Sequence, residues 1–490
     1  MTRTYLGTDP DEAGHPPPSH HPDPSPRNPN PTPSEPPAAK RSWRRRHRSA
    51  YAEAGLVLLP LLVAAAALGG YQSTGSFWGD LATYHAGASA AASGDGSLYQ
   101  ASHQGTDGIT LGFTYPPFAA LLFQPLVPVG LTVAVGLWTF ASVLALVVAV
   151  RVTLRAVGVP ARRRALATLA GAAGALPMFA VSGHLQVGQV GLFLMLLVLL
   201  DLTGDPRRRW SGLGVGIAAG IKLTPLIFVV YLLVTGRFRA AGTAVAGFAA
   251  TVALGFAWRP DDSVRFWTGA LFDTARVTAD PRTILNQSLA GALARLTDSA
   301  DPAALWVPVA ALVAVLGIAV AAYCVRAGEH LLGVLACAMT GVLVSPVSWH
   351  HHWVWCVPAL VLLVVRSWRG GSRPGLVAAG LIWLVFVGST SWVLAGLHGW
   401  DLHFRGWGLL YSNLYVLVGL AALGYLAVRL WRSRRAWPSR PDGSAHAVPD
   451  LRHDPRPREA THPPGPARTS SRRSRRNGRA KPTRRTSRPR

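Results

Sequence analysis

Residues 129–150 read VGLTVAVGLWTFASVLALVVAV, and Arg151 follows at once. No charge interrupts this run, and a helix of that length rises about 33 Å, enough to cross a hydrocarbon layer of roughly 30 Å. Comparable apolar runs recur at 55–70, 165–181, 187–203, 241–258, 303–325, 329–345 and 409–430, separated by short Arg-rich breaks. Backbone exposed to lipid must satisfy its own hydrogen bonds, which leaves a helix bundle as the architecture. The expected fold is an all-α polytopic integral membrane protein of about twelve spans. The segment 116–129, PPFAALLFQPLVPV, is expected as a re-entrant or interfacial helix.

Arginine placement orients the chain, because cytoplasmic loops carry the excess of Arg and Lys. The block 41–48, RSWRRRHR, precedes the first span and belongs inside. No Lys or Arg occurs from Gln72 to Val150, which makes 71–117 an external loop. Arg151, Arg155, Arg162–Arg164 and Arg207–Arg209 mark cytoplasmic turns. The run 210–235 has basic residues at both ends, so the polar GIKLTP at its centre predicts two short helices meeting in a break. The loop 259–302 balances five Arg against six Asp and lies outside, as does SPVSWHHHW at 345–353. Both termini then fall in the cytoplasm of a multi-pass plasma-membrane protein.

The net charge of +25 does not signal nucleic-acid binding. Residues 432–490 hold eighteen Arg or Lys against four Asp or Glu, in a setting rich in Pro and Ser. Basic blocks beside spans are topology signals or contacts to anionic headgroups. Three parts result: a Pro-rich cytoplasmic tail over 1–50, a membrane domain over 51–431, and a basic tail over 432–490, both tails expected to be disordered. The first apolar run lies behind the tail without a cleavage signature and reads as an uncleaved anchor. Cys324, Cys337 and Cys356 sit in apolar runs without metal-type spacing and are expected as buried thiols with no disulfide.

Unusual polar groups converge on the external side: Asp80, Tyr84, His85, Tyr115, Gln186, Gln189, Lys222, Asn286, Gln287, Ser345 and His350–His352. Polar groups near bilayer depth are costly and mark function. On a helix Asp80, Tyr84 and Gly87 share a face, with Gly87 and Ala88 leaving room beside them. Asp80 suits an N-cap and a general base equally well. Lys222 is the only lysine between residues 41 and 480, and a compact ammonium in a helical break fits a phosphate. Three adjacent His cannot face one metal from a helix, so one of them is expected as a phosphate donor or proton carrier, with His351 and His352 lying deepest. NQSLAGALARL at 286–296 reads as the start of an amphipathic helix whose amides suit sugar hydroxyls or capping. The membrane body carries no phosphate-binding loop, dinucleotide fingerprint or Asp-x-Asp pair, which argues for a lipid-carried rather than a nucleotide-carried substrate.

GDLATYHAGASAAASGDGSLY, FTYPPFAALLFQPL, GQVGLFLMLLVLL, GIKLTPLIFVVYLL, NQSLAGALARL and SPVSWHHHW occur in this order. Together they resemble glycosyltransferase family 87, the polyprenyl-phosphate-mannose-dependent α-mannosyltransferases of actinobacteria. The resemblance implies a GT-C membrane fold and transfer of mannose from a polyprenyl-phosphate donor to a lipid-linked glycan acceptor at the external face, with inversion. It implies Asp80 as the catalytic base and Lys222 with one of His350, His351 and His352 at the donor phosphate. Tyr84, His85, Tyr115, Gln189, Asn286 and Gln287 would line the sugar and acceptor sites. No cofactor or metal is expected. An arabinofuranosyltransferase using an analogous donor, and a carrier or flippase of lipid-linked glycans, are the competing readings. The one-sided clustering of polar groups and the lack of a clear internal repeat weigh against a carrier.

The orientation is testable in intact cells. Cysteines introduced at Gly96 and Ser299 should react with an impermeant thiol reagent, and one at Gly204 should not; labelling at 204 alone would invert the scheme.

Overall fold

The computed structural model describes residues 38–74, 78–94, 97–104, 110–273, 276–278, 280–397 and 404–435. The tails 1–37 and 436–490 lie outside the described residues. The basic block 41–48 does not: it forms the first turns of the helix Ala38–Thr74, continuous with the first apolar run.

Five described segments are long and apolar enough to cross a membrane: Glu53–Gly70, Pro117–Ala156, Phe238–Trp258, Ala303–Arg326 and Leu414–Arg432. The pair Ala161–Ala175 and Phe179–Val187 makes a sixth if it is one span, although its halves meet at 76°. Gly191–Leu202, Thr224–Val234, His330–Val344 and Arg373–Ser389 are apolar but shorter. The protein is therefore a polytopic helical membrane protein. Several expected spans are shorter or broken helices.

The break within 165–181 has a local cause. Pro177 lacks a backbone N–H and so cannot continue the helical hydrogen-bond ladder. The first helix ends at Ala175, and Phe179–Val187 leaves in a new direction until Gly188 stops it at φ +71°. The segment 210–235 breaks as its polar centre predicts. Leu213–Ile221 ends where Lys222 turns extended (φ −148°, ψ 132°), and Ile227–Val234 restarts after a short 3-10 turn, Thr224–Leu226.

Residues 116–129 form a short helix, Pro117–Phe123, and a 3-10 segment, Gln124–Val129, ahead of the long helix Gly130–Ala156. Two features depart from the sequence reading of the loops. An antiparallel pair of strands, Ser102–Gln104 with Thr110–Gly112, follows the helix Gly79–Ser93. The later helix begins at Leu289 and not at Asn286, because Ser288 is its N-cap and accepts from the Gly291 amide at 3.0 Å.

Contacts between loops fall into two sets. Arg151 pairs with Glu53 at 3.4 Å, Arg369 donates to the carbonyls of Val157 and Gly158, Arg239 donates to Arg207, and Arg366 pairs with Glu329. The arginine pattern assigns all of these loops to one side. In the second set, Asp262 accepts from Ser97 Oγ (2.7 Å) and from the Leu98 amide (3.1 Å). Arg276 donates to the Tyr99 carbonyl, and buried Arg295 donates twice to Asn413 Oδ1. The arginine pattern assigns all of these to the other side.

The helices Leu213–Ile221 and Phe238–Trp258 approach closely enough that small residues are obligatory between them. A Cβ on Gly216 would overlap the Ala244 carbonyl oxygen, a backbone atom that cannot move aside. Gly216→Leu should force the pair apart and cost about 1–3 kcal/mol or more, as overpacking does. Thermal unfolding of the purified variant measures it, and Gly242→Ala, which meets nothing within 4 Å, is the control that should unfold like the parent.

Candidate active site

The helix Gly79–Ser93 presents the first group. Trp78 is its N-cap and makes no side-chain cap bond, so Asp80 stands inside the first turn and does not serve as the cap. One turn on, Tyr84 is fully buried, with its ring stacked on Phe123 at 4.5 Å and edge-on to Tyr115 at 5.0 Å. Packing of this kind fixes the position of the hydroxyl.

From that hydroxyl a row of contacts runs across the site. Tyr84 Oη and Tyr115 Oη lie 2.8 Å apart, and each lies 3.2 Å from Gln189 Oε1. Lys222 Nζ donates to Tyr115 Oη at 3.4 Å and meets His352 Nε2 at 2.9 Å. The same ammonium lies 5.3 Å from the centre of the Tyr115 ring, within range of a cation–π attraction. The Lys222 charge and the Gln189 amide both act on the Asp80 carboxylate, which stands beside the row. Residues distant in sequence thus form one polar strip, with an ammonium and an imidazole in it and a carboxylate beside it.

The carboxylate is tuned as well as placed. Burial pushes the Asp80 pKa up to about 6, while the Lys222 charge and the Gln189 hydrogen bond pull it down. A carboxylate with a pKa just below neutrality is mostly ionised at pH 7 and still a competent proton acceptor.

The three histidines part company. His350–Trp355 is a 3-10 segment, so successive side chains step about 120° and point in three directions. Only His352 meets Lys222. His350 is buried face-to-face on Phe179, with ring centres 4.0 Å apart, in space left by Gly183. His351 is buried between its neighbours. Neither nitrogen of His350 or of His351 has a hydrogen-bond partner.

Other expected residues lie outside the row. His85 points elsewhere on its helix, and its buried Nε2 has no partner. The room expected beside Gly87 is filled by the Phe113 ring, with which a Cβ there would collide. Gln186 is exposed, whereas Gln189 is buried. Asn286 Oδ1 accepts from the Ser348 amide at 3.0 Å, and its Nδ2 donates to backbone carbonyls of Pro281 and Pro346. Gln287 Nε2 donates to the carbonyls of Ile284 and Ser412. The Asn286 amide thus anchors the loop that carries the histidines, and the Gln287 amide ties its own turn to Ser412.

Sequence reasoning passed over His184 and Trp138. His184 is buried, and its Nε2 accepts from the Leu192 amide at 3.0 Å, closing the start of the helix Gly191–Leu202. Trp138 Nε1 donates to the Gln189 carbonyl at 3.3 Å. Each looks like an ordinary residue of an apolar run, and only the turn at 188–190 brings it into contact. Among the described residues, no group of three or more His, Cys, Asp or Glu side chains is placed to hold a metal ion.

The model of glycosyltransferase family 87 matches residues 113–346. A polyprenol-phosphate-mannose-dependent α-(1-2)-phosphatidylinositol pentamannoside mannosyltransferase of Mycobacterium tuberculosis is 36% identical over 383 residues, which cover 76% of this chain and 87% of that relative. The chain belongs to glycosyltransferase family 87. The corresponding pentamannoside enzyme of Mycolicibacterium smegmatis is 34% identical, over 71% of this chain and 84% of that protein. A polyprenol-phosphate-mannose-dependent α-(1-2)-phosphatidylinositol mannoside mannosyltransferase of Mycobacterium tuberculosis is 40% identical over 278 residues, 54% of this chain and 64% of the relative. No solved structure matches. Within this family 87 chain, Asp80 and Tyr84 precede the matched region, whereas Tyr115, Gln189 and Lys222 lie within it and His352 just beyond.

The coupling between Lys222 and Asp80 is measurable. Lys222→Met removes the charge that lowers the Asp80 pKa, so the carboxyl should titrate above about 6 in that variant. Infrared difference spectra across pH, with Asp80→Asn identifying the band, report the shift; an unmoved band would separate the two groups.

Proposed function

We propose that this chain is a membrane mannosyltransferase that moves mannose from a polyprenyl-phosphate carrier to a lipid-linked glycan of the phosphatidylinositol mannoside or lipoglycan type. The observation that carries the reading is the polar strip in which hydrogen bonds join Gln189, Tyr84 and Tyr115 to Lys222 and His352, with the Asp80 carboxylate beside it under the influence of Gln189 and Lys222. It sets a base and a cation in one site, together with hydroxyls and an amide. Its relatives' dependence on polyprenol-phosphate-mannose supports the choice of donor. The arginine pattern supports an external site and cytoplasmic termini, and a GT-C fold accords with the broken helices.

In this reading the acceptor hydroxyl attacks the mannose C1 from the face opposite the phosphate. The new C1–O bond forms as the C1–O(phosphate) bond breaks, and the configuration at C1 inverts. Asp80 takes the hydroxyl proton. Polyprenyl phosphate departs with the electron pair, and its growing negative charge meets the Lys222 ammonium. Stabilising charge where it develops is the largest service such a site can give. With Lys222 donating to Nε2, His352 carries its proton on Nδ1 and holds the ammonium in place. Tyr84, Tyr115 and Gln189 border the sugar. The reaction needs no metal or cofactor, and the basic tails lie near anionic headgroups.

The test is transfer from radiolabelled polyprenyl-phosphate mannose to a phosphatidylinositol mannoside by purified protein. Asp80→Asn keeps the shape but cannot accept a proton, so turnover should fall at least about 10²-fold while donor binding survives. The base works ionised, so turnover in the parent should fall as pH drops through about 6, where the carboxyl gains its proton. Near-normal transfer by well-folded Asp80→Asn would sink the assignment. Lys222→Ala should weaken donor binding and Lys222→Arg restore it only in part, because a guanidinium is larger and planar.

A further inference from the structure

The run GSLY at 96–99 ends on a tyrosine that takes no part in the polar strip. Tyr99 sits in the turn 98–100, just ahead of the strand Ser102–Gln104. Its hydroxyl donates to the Tyr115 carbonyl at 2.9 Å, and among the described residues it bonds no side chain of the strip. Tyr115 needs such a tie. It lies in irregular chain between the strand Thr110–Gly112 and the helix Pro117–Phe123, where neither a sheet ladder nor a helix holds its backbone. Yet the strip branches at its hydroxyl, which meets Tyr84, Gln189 and Lys222 at 2.8, 3.2 and 3.4 Å.

Tyr99 is in turn gripped by the loop 259–276. Buried Asp262 accepts from the Ser97 hydroxyl at 2.7 Å and from the Leu98 amide at 3.1 Å. The Phe266 ring stacks on the Tyr99 ring, with centres 5.8 Å apart. Arg276 Nη2 donates to the Tyr99 carbonyl at 3.0 Å and lies 3.4 Å from the Phe113 carbonyl, which bridges the turn to the segment that leads into Tyr115. Three residues of one loop thus hold the turn, and a single phenolic hydrogen bond passes that hold to the strip.

We infer that Tyr99 is a positioning residue: it fixes the Tyr115 backbone, and with it the hydroxyl that joins Tyr84 and Gln189 to Lys222, so that the loop 259–276 acts on the site through Tyr99. The geometry stands by itself, and its effect on rate rests on the proposed mannose transfer. A phenyl ring at 99 keeps the stack on Phe266 but leaves the Tyr115 carbonyl without this donor. Tyr115 is then free to drift from Lys222, and a misplacement of about 1 Å in a reacting site can cost roughly 10²-fold in rate.

Two measurements on the purified full-length protein test it. With labelled polyprenyl-phosphate mannose, Tyr99→Phe should lower kcat about ten-fold. Tyr115→Phe removes the hydroxyl on which Tyr99 acts, so adding Tyr99→Phe to that variant should cost less than about two-fold more, because the two changes share one pathway. A Tyr99→Phe enzyme as fast as the parent, or losses that multiply in the double variant as those of a merely structural residue would, overturns the inference. The second readout needs no transfer. A 3-fluorotyrosine placed at position 115 gives one fluorine resonance, which should move when Tyr99→Phe is introduced. An unmoved resonance would reject the link between the two tyrosines. A resonance that moves in a protein whose parent transfers no mannose would remove the proposed reaction and leave the positioning bond standing.

Discussion

One ammonium in an apolar surrounding sets the terms for the centre of this protein. Taking a charge out of water is costly unless other groups replace the lost hydration. Lys222 is provided for by a helix that stops, a phenol, an aromatic face and an imidazole. The helix stops at Ile221, and Lys222 itself is extended. The break in 213–234 and the polar strip are therefore two views of the same constraint.

The imidazole that completes the pair is itself held from outside. Asn286 and Trp349 form an isolated backbone bridge, the Gln287 amide donates to the Ser348 carbonyl, and Trp353 Nε1 donates to the Gln287 carbonyl at 3.0 Å. These bonds clamp residues 284–288 to residues 346–353 from both sides. The 3-10 winding of His350–Trp355 then aims His352 at Lys222 and turns His350 and His351 into the protein. The Asn286 side chain, which looks like sugar-binding chemistry, serves here to hold the histidine segment through the Ser348 amide.

Short and broken helices are the general device. Non-helical backbone at membrane depth is tolerated where it is buried in protein or lines a cavity. Gly188 and the turn after it bring Gln189 against Tyr84 and Tyr115, while His184 closes the next helix by accepting from Leu192. A bundle of straight spans would present side chains only. Here helix ends, turns and one loop helix each deliver a polar group to a common strip, with Asp80 supplied by a helix of the first loop.

The sequence alone determined the membrane class, and it grouped the loops and singled out Asp80 and Lys222 as candidates. Those inferences rest on hydrophobic run length, arginine placement and residue rarity, all of which are properties of the chain read in order. It also placed the break at GIKLTP, because a polar centre between two apolar halves cannot stay helical in lipid without a partner. The bend at Pro177, the Ser288 cap and the strand pair at 102–112 were less legible, since local turn chemistry competes with the longer apolar pattern. Tertiary structure alone decided that Asp80 is no cap, that Phe113 fills the space beside Gly87, that Asn286 and Gln287 act as anchors, and which of three adjacent histidines meets the lysine. Most of those outcomes depend on partners far along the chain, such as His352 for Lys222 and Phe113 for Gly87. Side-chain direction follows from how helices pack, and no spacing within one segment encodes it.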